Sequence, residues 1–436
     1  MVGVLDPNRE LSEVASLARD LIRFDTTNWG GGKARGEREA AEYVGAYLSD
    51  LGLRPQFYEP IERRTNVCAR VPGKNRDKPA LVVHGHLDVV PAVAADWSVD
   101  PFAGEVRDGM LWGRGAVDMK DMDAMILAAV ADILRGGDQP ERDLILTFFA
   151  DEENGGVEGS ALVVRDHPEW FEGATEAISE VGGYSIDLAG RRAYLLQVGE
   201  KALVWIRLVA RGVAAHGSAF HRDNAVTRLA EAVATLGRTT WPVEMTATTT
   251  ALTQRIAELC GTSDTDPDAV TAAAGPASRF LRSTIRTTAN PTGFGAGYKH
   301  NVIPDAAEAL IDVRTLPGGE ERALEQIQEL VGEDIEIQIV HRDIGLEVPF
   351  EGDLVTAMVD ALGRHDPGVP VLPYLMSGGT DNKSLAALGI SGYGFAPLKL
   401  TGDLDFTAMF HGVDERVPLD ALDFGQRVLG DLLRTY

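Results

Sequence analysis

Three short segments of this sequence each carry an apolar run next to histidine or acidic side chains. They are residues 80–88, 112–134 and 144–156. In the first and third, the apolar run has the length of a buried strand and the polar side chains follow it directly. In open α/β sheets, functional groups collect at the carboxyl ends of such strands. The pattern therefore predicts an α/β fold with one polar site at the carboxyl edge of its sheet.

The first segment ends in His86-Leu87-Asp88. Side chains two residues apart on a strand share a face, so Asp88 can accept a hydrogen bond from one ring nitrogen of His86 while the other nitrogen faces a metal. The alternative is a solvated histidine and aspartate on a loop.

The second segment places Asp118 just before an apolar run, residues 122–134, that predicts a buried helix ended by Gly136-Gly137. Taken alone, Asp118 is explained as a helix N-cap. Because the other two segments also carry metal-binding side chains, the role of a metal ligand is favoured for Asp118. A carboxylate can bridge two cations about 3.5–4 Å apart.

The third segment is an apolar strand that leads into Asp151, Glu152 and Glu153. Neighbouring side chains leave an extended backbone in different directions, so one glutamate should bind metal and the other should transfer a proton. The alternative, a solvated acidic turn, seldom follows a fully apolar strand.

Together these motifs resemble the dinuclear zinc peptidase family of aminoacylase, acetylornithine deacetylase, succinyl-diaminopimelate desuccinylase, carboxypeptidase G and carboxypeptidase S. The resemblance extends from about residue 11 to the C-terminus and is nearest to the carboxypeptidase S and N-acyl-amino-acid hydrolase branch. It implies that His86 binds one metal, Asp118 bridges both, Glu152 is the general base and Glu153 binds the other metal. It also implies a cis peptide bond between Asp118 and Met119.

The resemblance implies two further ligands, Glu180 and His411. Relatives often place the acid directly before Gly-Gly, whereas Val181 intervenes here, so a strand-end surface glutamate is the alternative for Glu180. The expected cofactor is two Zn²⁺ per subunit, with Co²⁺ or Mn²⁺ as alternatives. Three carboxylates and two neutral imidazoles around two dications leave one positive charge.

The residues implied to contact substrate lie later in the chain. His216 would donate to the oxyanion, often across a dimer, while the others would hold the substrate and its carboxylate: Asn301, Arg314, Gly378, Gly379 and Thr380. A loop histidine and a strand-end ion pair are the structural alternatives for His216 and Arg314. The aromatic and apolar residues at 393–398 and 406–410 would form a substrate pocket or simply core packing.

The expected reaction is hydrolysis of an amide bond next to a free α-carboxylate, in an N-acyl amino acid or a small peptide. A dipeptidase or a deacylase of amino-acid biosynthesis is the alternative within the family. A dinuclear phosphoesterase should show basic or glycine-rich phosphate contacts, which we do not find. A non-catalytic binding paralogue should have lost Glu152 or a ligand, and this chain retains them.

Composition limits the remaining classes. The formal charge of −25 argues against nucleic-acid or anionic membrane partners. Cys68 and Cys260 form no Cys-x-x-Cys motif and predict reduced thiols. No basic leader and no apolar run of about 18 residues is present, so we expect a cytoplasmic protein. The family resemblance implies a homodimer that acts on small molecules.

With 436 residues, two domains are expected. Residues 1–200 and 343–436 should form a catalytic domain with a mainly parallel sheet, because strands and helices alternate there. Residues 201–342 show the order strand, helix, strand, strand, helix, strand of a ferredoxin-like unit, which would be the inserted lid and dimerisation domain. Its second strand is predicted at 283–287, after an Ala- and Thr-rich extension at 246–277 of no assigned role.

Overall fold

The computed structural model describes residues 10–401 and 404–436 of the chain. Its helices are α1 (Glu13–Ile22), α2 (Arg38–Asp50), α3 (Lys120–Arg135), α4 (Ser160–Asp166), α5 (Ala225–Arg238), α6 (Ala247–Cys260), α7 (Pro267–Ala272), α8 (Ser278–Thr284), α9 (Glu320–Val331), α10 (Asp353–His365), α11 (Asn382–Ala386) and α12 (Leu419–Thr435). Its strands are β1 (Asn28–Gly30), β2 (Lys33–Ala34), β3 (Gln56–Tyr58), β4 (Asn66–Val71), β5 (Ala80–His86), β6 (Glu105–Arg107), β7 (Met110–Trp112), β8 (Leu144–Phe149), β9 (Ala174–Ser179), β10 (Ser185–Leu188), β11 (Arg191–Glu200), β12 (Ala202–Arg211), β13 (Ala215–His216), β14 (Thr288–Ala296), β15 (Val302–Ile303), β16 (Ala306–Thr315), β17 (Ile335–Arg342), β18 (Leu346–Glu347), β19 (Val371–Met376), β20 (Ser391–Gly394) and β21 (Arg416–Pro418).

The chain divides into two compact units. The first contains the described residues up to Val198 together with Val348–Tyr374 and those from Thr380 onward. The second contains Gly199–Glu347 and the short segment Leu375–Gly379.

The first unit contains a large mixed sheet in which strands follow the order β10-β11-β20-β9-β5-β8-β4-β3. The four central strands, β20, β9, β5 and β8, run parallel, and the strands directly beside them, β11 and β4, run antiparallel to them. Every residue of β5 and β8 is buried, which is why their sequences are apolar without alternation. The fold class is therefore α/β with a mainly parallel central sheet, as predicted.

Helix α3, which follows Asp118, is almost entirely buried: thirteen of its sixteen residues are buried. It packs against β5, and α1 and α12 in turn pack against α3. Helix α1 carries its buried residues on one face and begins at Ser12, whose side chain accepts a hydrogen bond from the Ala15 N–H at 3.4 Å. The helix predicted at residues 122–134 is present as part of α3.

The second unit is a four-stranded antiparallel sheet with the order β14-β16-β12-β17. Helices α5 and α9 cover one face, and their apolar residues share a core with inward residues such as Val204 and Ile311. The chain order of these six elements is that of a ferredoxin-like unit.

The strand predicted at 283–287 is wrong. Residues 283 and 284 end helix α8, and the strand begins at Thr288. The hydroxyls of Ser283 and Thr284 donate to the carbonyls of Phe280 and Leu281, which lets these residues complete a helix despite their strand-like composition. The extension at 246–277 forms α6 and α7.

Over the part of the chain that the structure describes, no helix combines the length and the apolar character required to cross a bilayer. Among the described residues Cys68 and Cys260 form no disulfide, and Cys68 is buried whereas Cys260 is half-buried.

Candidate metal centre

Three of the predicted ligands follow neighbouring parallel strands. His86 is the last residue of β5, Glu153 lies just beyond β8, and Glu180 follows β9 directly. Because β9, β5 and β8 are adjacent and parallel, their carboxyl ends bring these side chains to one edge of the sheet.

The other two predicted ligands lie on turns. Asp118 precedes α3, and the peptide bond between Asp118 and Met119 is cis, as the family resemblance implied. His411 follows a short turn at Phe406–Ala408 and has a backbone φ of 59°.

These five residues form two groups that share one carboxylate. His86, Asp118 and Glu180 each offer a ligand atom within 4.8 Å of the others, and so do Asp118, Glu153 and His411. We call them the His86 triad and the His411 triad. Asp118 Oδ1 lies 3.3 Å from His86 Nε2, while its Oδ2 lies 3.3 Å from His411 Nε2. The two oxygens of Asp118 thus face different imidazoles, as a bridging ligand requires.

Glu152 lies beside the His86 triad but is not part of either ligand group. Glu153 Oε2 is 3.1 Å from His411 Nε2, and Glu180 Oε2 is 3.6 Å from His86 Nε2. Glu152 Oε2 is 3.8 Å from His86 Nε2, and Glu152 is a member of neither triad. It lies at the site without completing a ligand set.

The role expected of the Asp88 carboxylate requires correction. The shortest contact of His86 Nδ1 is with the main-chain carbonyl of Asp88 at 3.0 Å, and the nearer carboxylate oxygen is 3.5 Å away. The carboxylate instead accepts the backbone N–H groups of Glu152 and Glu153 at 3.1 and 3.2 Å, and the side-chain amide of Asn28 at 2.9 Å. Asp88 therefore orients His86 through its backbone and fixes the Glu152–Glu153 turn through its side chain.

The electrostatics of the site call for bound cations. Burial raises the pKa of Glu153, and the charge of Asp118 raises it further. Burial also raises the pKa of Glu180, to about 8. Partial desolvation lowers the pKa of His411, but hydrogen bonds to Asp118 and Glu153 outweigh this and bring it to about 11. To ionise, buried acids with raised pKa values need positive charge nearby, and carboxylate and imidazole donors match the ligand preference of Zn²⁺.

A buried ionic network supports the turn that carries the two glutamates, and sequence reasoning did not find it. Arg64 Nη2 contacts Asp151 Oδ1 at 2.8 Å, and its Nη1 contacts Glu37 at 2.5 Å. Asn28 donates to both Asp151 and Asp88. The signal in the sequence was Asp151, which begins a run of three acids. In the structure Asp151 adopts a left-handed conformation, with φ 67°.

A second buried pair, Arg114 with Glu415, was also missed. Both residues lie inside motifs that supplied ligands, one before Asp118 and one after His411, and their ion pair measures 2.7 Å. Their positions within ligand-bearing motifs are the signal that could have marked them.

Most of the predicted substrate residues lie in the second unit. His216 is exposed, and its Nδ1 lies 2.8 Å from the Ser218 hydroxyl. The Gly217 N–H donates to the Asn301 carbonyl at 2.9 Å, so His216 and Asn301 are on adjoining segments, since His216 belongs to β13 and Asn301 directly precedes β15. Arg314 makes two contacts with Asp312, at 2.7 and 3.0 Å.

The predicted glycine-rich loop divides between the units. Gly378 and Gly379 belong to the second unit, whereas Thr380 belongs to the first, where it is buried and its hydroxyl accepts the Asn382 N–H at 3.2 Å.

An aromatic cluster connects two of the ligand-bearing segments. The Tyr184 ring lies 5.1 Å from Phe406 and 6.4 Å from Phe410, and the two phenylalanine rings are 5.4 Å apart. Tyr184 is four residues from Glu180, and Phe410 precedes His411. The apolar residues expected near His411 are therefore in place, and Tyr184 and Phe406 are buried like core residues.

Two triads of histidine and acidic residues meet at the carboxyl edge of a parallel sheet, and a further glutamate lies beside them. This arrangement is that of a metal-dependent hydrolase. The sequence model of Peptidase family M20/M25/M40 matches residues 82–435, and the chain belongs to this family.

Individual relatives agree with that assignment. The chain is similar to succinyl-diaminopimelate desuccinylase of Rhodospirillum centenum, with 31% identity over 84% of each chain. It is similar to aminoacylase-1 of Sus scrofa, with 26% identity over 87% of this chain and 85% of the relative. Among solved structures, a metallo-carboxypeptidase of the same family from Sulfolobus solfataricus has a TM-score of 0.76 at 20% identity and covers 98% of this chain and 99% of its own, a likeness in fold.

Proposed function

We propose that this protein is a two-zinc hydrolase of amide bonds adjacent to a free α-carboxylate, with an N-acyl amino acid or a small peptide as substrate. The observation that carries the proposal is the pair of triads that share Asp118 while Glu152 lies outside both. A bridging carboxylate matches a two-metal site, and an uncommitted carboxylate beside it matches a general base.

When bound, two zinc ions supply a Lewis acid for the substrate carbonyl and lower the pKa of water. Glu152 then accepts a proton from the attacking water at its carboxylate and delivers it to the nitrogen of the leaving amine. Burial raises the pKa of Glu152, and the charge of Glu180 raises it further, which suits a group that must both take up and release a proton.

The substrate residues are proposed from the family resemblance. Arg314 would grip the α-carboxylate with its planar fork, and Asn301 with the 378–380 loop would orient the substrate. His216 would donate to the oxyanion, in a homodimer joined through the second unit. Two relatives are named for the removal of acyl groups, which favours N-acyl amino acids over dipeptides.

The direct test is to remove metal with a chelator, restore zinc, and assay N-acyl amino acids alongside dipeptides. We expect activity to disappear with the metal and return with zinc, with the highest kcat/KM on an N-acyl amino acid. If the zinc-restored enzyme cleaved only dipeptides, the substrate class would be dipeptides and not N-acyl amino acids. Activity that survives complete metal removal would overturn the proposal.

The first prediction separates base from ligand. Glu152→Gln should retain two zinc ions while kcat falls by about 10²–10⁴, because the amide cannot carry the proton. Glu153→Gln is the matched control, since it changes the adjacent residue in the same way and should lose zinc. Zinc content and rate are measured on the same samples, and loss of zinc from Glu152→Gln would make that residue a ligand.

A further inference from the structure

The bridging ligand and His411 are connected by a buried carboxylate that has no place in the proposed chemistry. Glu415 is fully buried. Its side chain accepts three backbone N–H groups of the turn that carries Asp118: Gly115 at 3.1 Å, Val117 at 2.6 Å and Asp118 itself at 3.2 Å. A carboxylate that accepts several backbone N–H groups holds the donor segment in one conformation.

Glu415 also belongs to the segment that carries His411, four residues earlier. Its backbone carbonyl accepts the Gly113 N–H at 3.0 Å, and the strand that follows, β21, pairs with β7. The Asp118 turn and the His411 turn are therefore connected through both the side chain and the backbone of Glu415.

Arg114 also links the Asp118 turn to the His411 turn. Its Nη1 donates to Glu415 Oε2 at 2.7 Å, and its Nη2 donates to the Gly412 carbonyl at 2.8 Å. Gly412 directly follows His411, and the Arg114 guanidinium packs over the Trp97 ring at 5.1 Å. The planar fork of arginine allows one buried side chain to reach both acceptors.

We propose that Arg114 and Glu415 are positioning residues that hold His411 against Asp118 and thereby create the second metal site. His86 and Glu180 are held by strands β5 and β9 of the central sheet. His411 lies on a turn, and its side chain is 57% exposed. Loss of the Arg114–Glu415 pair should therefore weaken metal binding at the His411 triad more than at the His86 triad, which depends on the pair only through Asp118.

The experiment titrates zinc into metal-free protein against a chromophoric chelator, without substrate. Wild-type protein should bind two zinc ions. Glu415→Gln should bind the first with affinity within about threefold of wild type and the second at least about tenfold more weakly, the size of effect typical when a group that orients a metal ligand is changed. Arg114→Lys, which keeps the charge but not the fork, should show a smaller loss in the same step.

The matched control is Glu176→Gln. It removes a partly buried carboxylate of the same unit that contacts Arg142 and Tyr436 at the opposite end of β9 from Glu180. Both zinc affinities should be unchanged in this variant. Thermal melting of each metal-free variant distinguishes misfolding from altered positioning, and Arg114→Lys decides the question if Glu415→Gln melts below the assay temperature.

The inference rests on the two-zinc site proposed above, and the outcomes separate the two claims. Wild-type protein that binds a single zinc would overturn both. Wild-type protein with two sites, and variants in which both steps weaken equally or neither weakens, would overturn the positioning role alone.

Discussion

Glu152 and Glu153 are adjacent in sequence, yet their carboxylates face different partners. Glu153 reaches His411, whereas Glu152 lies on the side of His86. The divergence follows from the turn, since Asp151 is left-handed and Asp88 accepts both glutamate N–H groups. Two identical side chains thus acquire different tasks from the backbone beneath them.

Residue-level prediction was best where chemistry is local. Among the members of the two triads, Glu180 and His411 were named only through the family resemblance, and His86, Asp118 and Glu153 were named from the apolar segments beside them. Arg64, Arg114 and Glu415 were not, because a buried ion pair is recognised only with both partners, and Arg114 and Glu415 are 301 residues apart. Each lies within a ligand-bearing motif, but neither motif shows that the two residues form a pair.

Arg314 carries a prediction about substrate selectivity. Arg314→Ala should reduce kcat/KM for substrates with a free α-carboxylate far more than for their carboxamides, since only the acids lose a bidentate charge pair. Paired acid and amide substrates are compared on both enzymes. Equal losses would remove Arg314 from substrate binding and leave it as the partner of Asp312.

His84 carries a prediction about acid sensitivity. Burial lowers the pKa of His84 from 6.5 to about 4, so the folded protein keeps it neutral where the unfolded chain takes up a proton. Stability should therefore fall as pH drops from 6.5 toward 4. In His84→Gln this loss between pH 7 and 4.5 should be smaller by about 2 kcal/mol.

Urea unfolding of metal-free protein at both pH values measures the effect, so that the other histidines contribute equally to wild type and variant. His167→Gln, a half-buried position on the surface of the same unit, is the control and should behave as wild type. Parallel pH profiles for His84→Gln and wild type would show that burial of His84 does not drive acid sensitivity.

At the level of elements, periodicity located the long helices and buried strands, but it failed at residues 283–287. Ile285 and the neighbouring threonines favour a strand by composition, and hydrogen bonds from hydroxyls to preceding carbonyls end a helix there instead. Short polar segments carry too little periodic signal to decide between the two.

The contact between β5 and α3 gives an element-level prediction. Gly85 lies between His84 and His86, and a Cβ there would come within 2.1 Å of Asp123 Oδ1 and 2.8 Å of the Met119 side chain. Gly85→Ala should push α3 away from β5, lower stability by about 1–3 kcal/mol and weaken zinc binding.

Urea unfolding and zinc titration measure the two effects. The control is Gly363→Ala in α10, where nothing lies within 4 Å of the added carbon and alanine should stabilise the helix by up to about 1 kcal/mol. A Gly85→Ala protein with wild-type zinc affinity would show that His86 does not depend on this packing.

At the scale of the whole molecule, function is expected to need more than one unit. The triads lie in the first unit and His216 in the second. If His216 completes a neighbour's site, mixing inactive His216→Ala with inactive Glu152→Gln subunits should restore part of the activity, because a hybrid dimer contains one site with both intact residues.

The measurement is activity after the two variants have exchanged subunits, with exchange followed separately by labelled protein. Each variant mixed with itself is the control and should stay inactive. Full exchange without recovered activity would assign His216 to its own chain, and a strictly monomeric protein would exclude a shared site.

The position of β20 in the sheet has a consequence for synthesis of the chain. This strand lies between β9 and β11, yet it is made after the whole second unit. During translation β9 pairs only with β5, and the carbonyls and amides of its other edge stay in water. About 230 residues separate Glu180 from His411, which corresponds to roughly 10–50 seconds at ~5–20 residues per second. The second unit is almost continuous in sequence and can therefore fold on the ribosome first. The catalytic sheet is complete only when β20 has been synthesised.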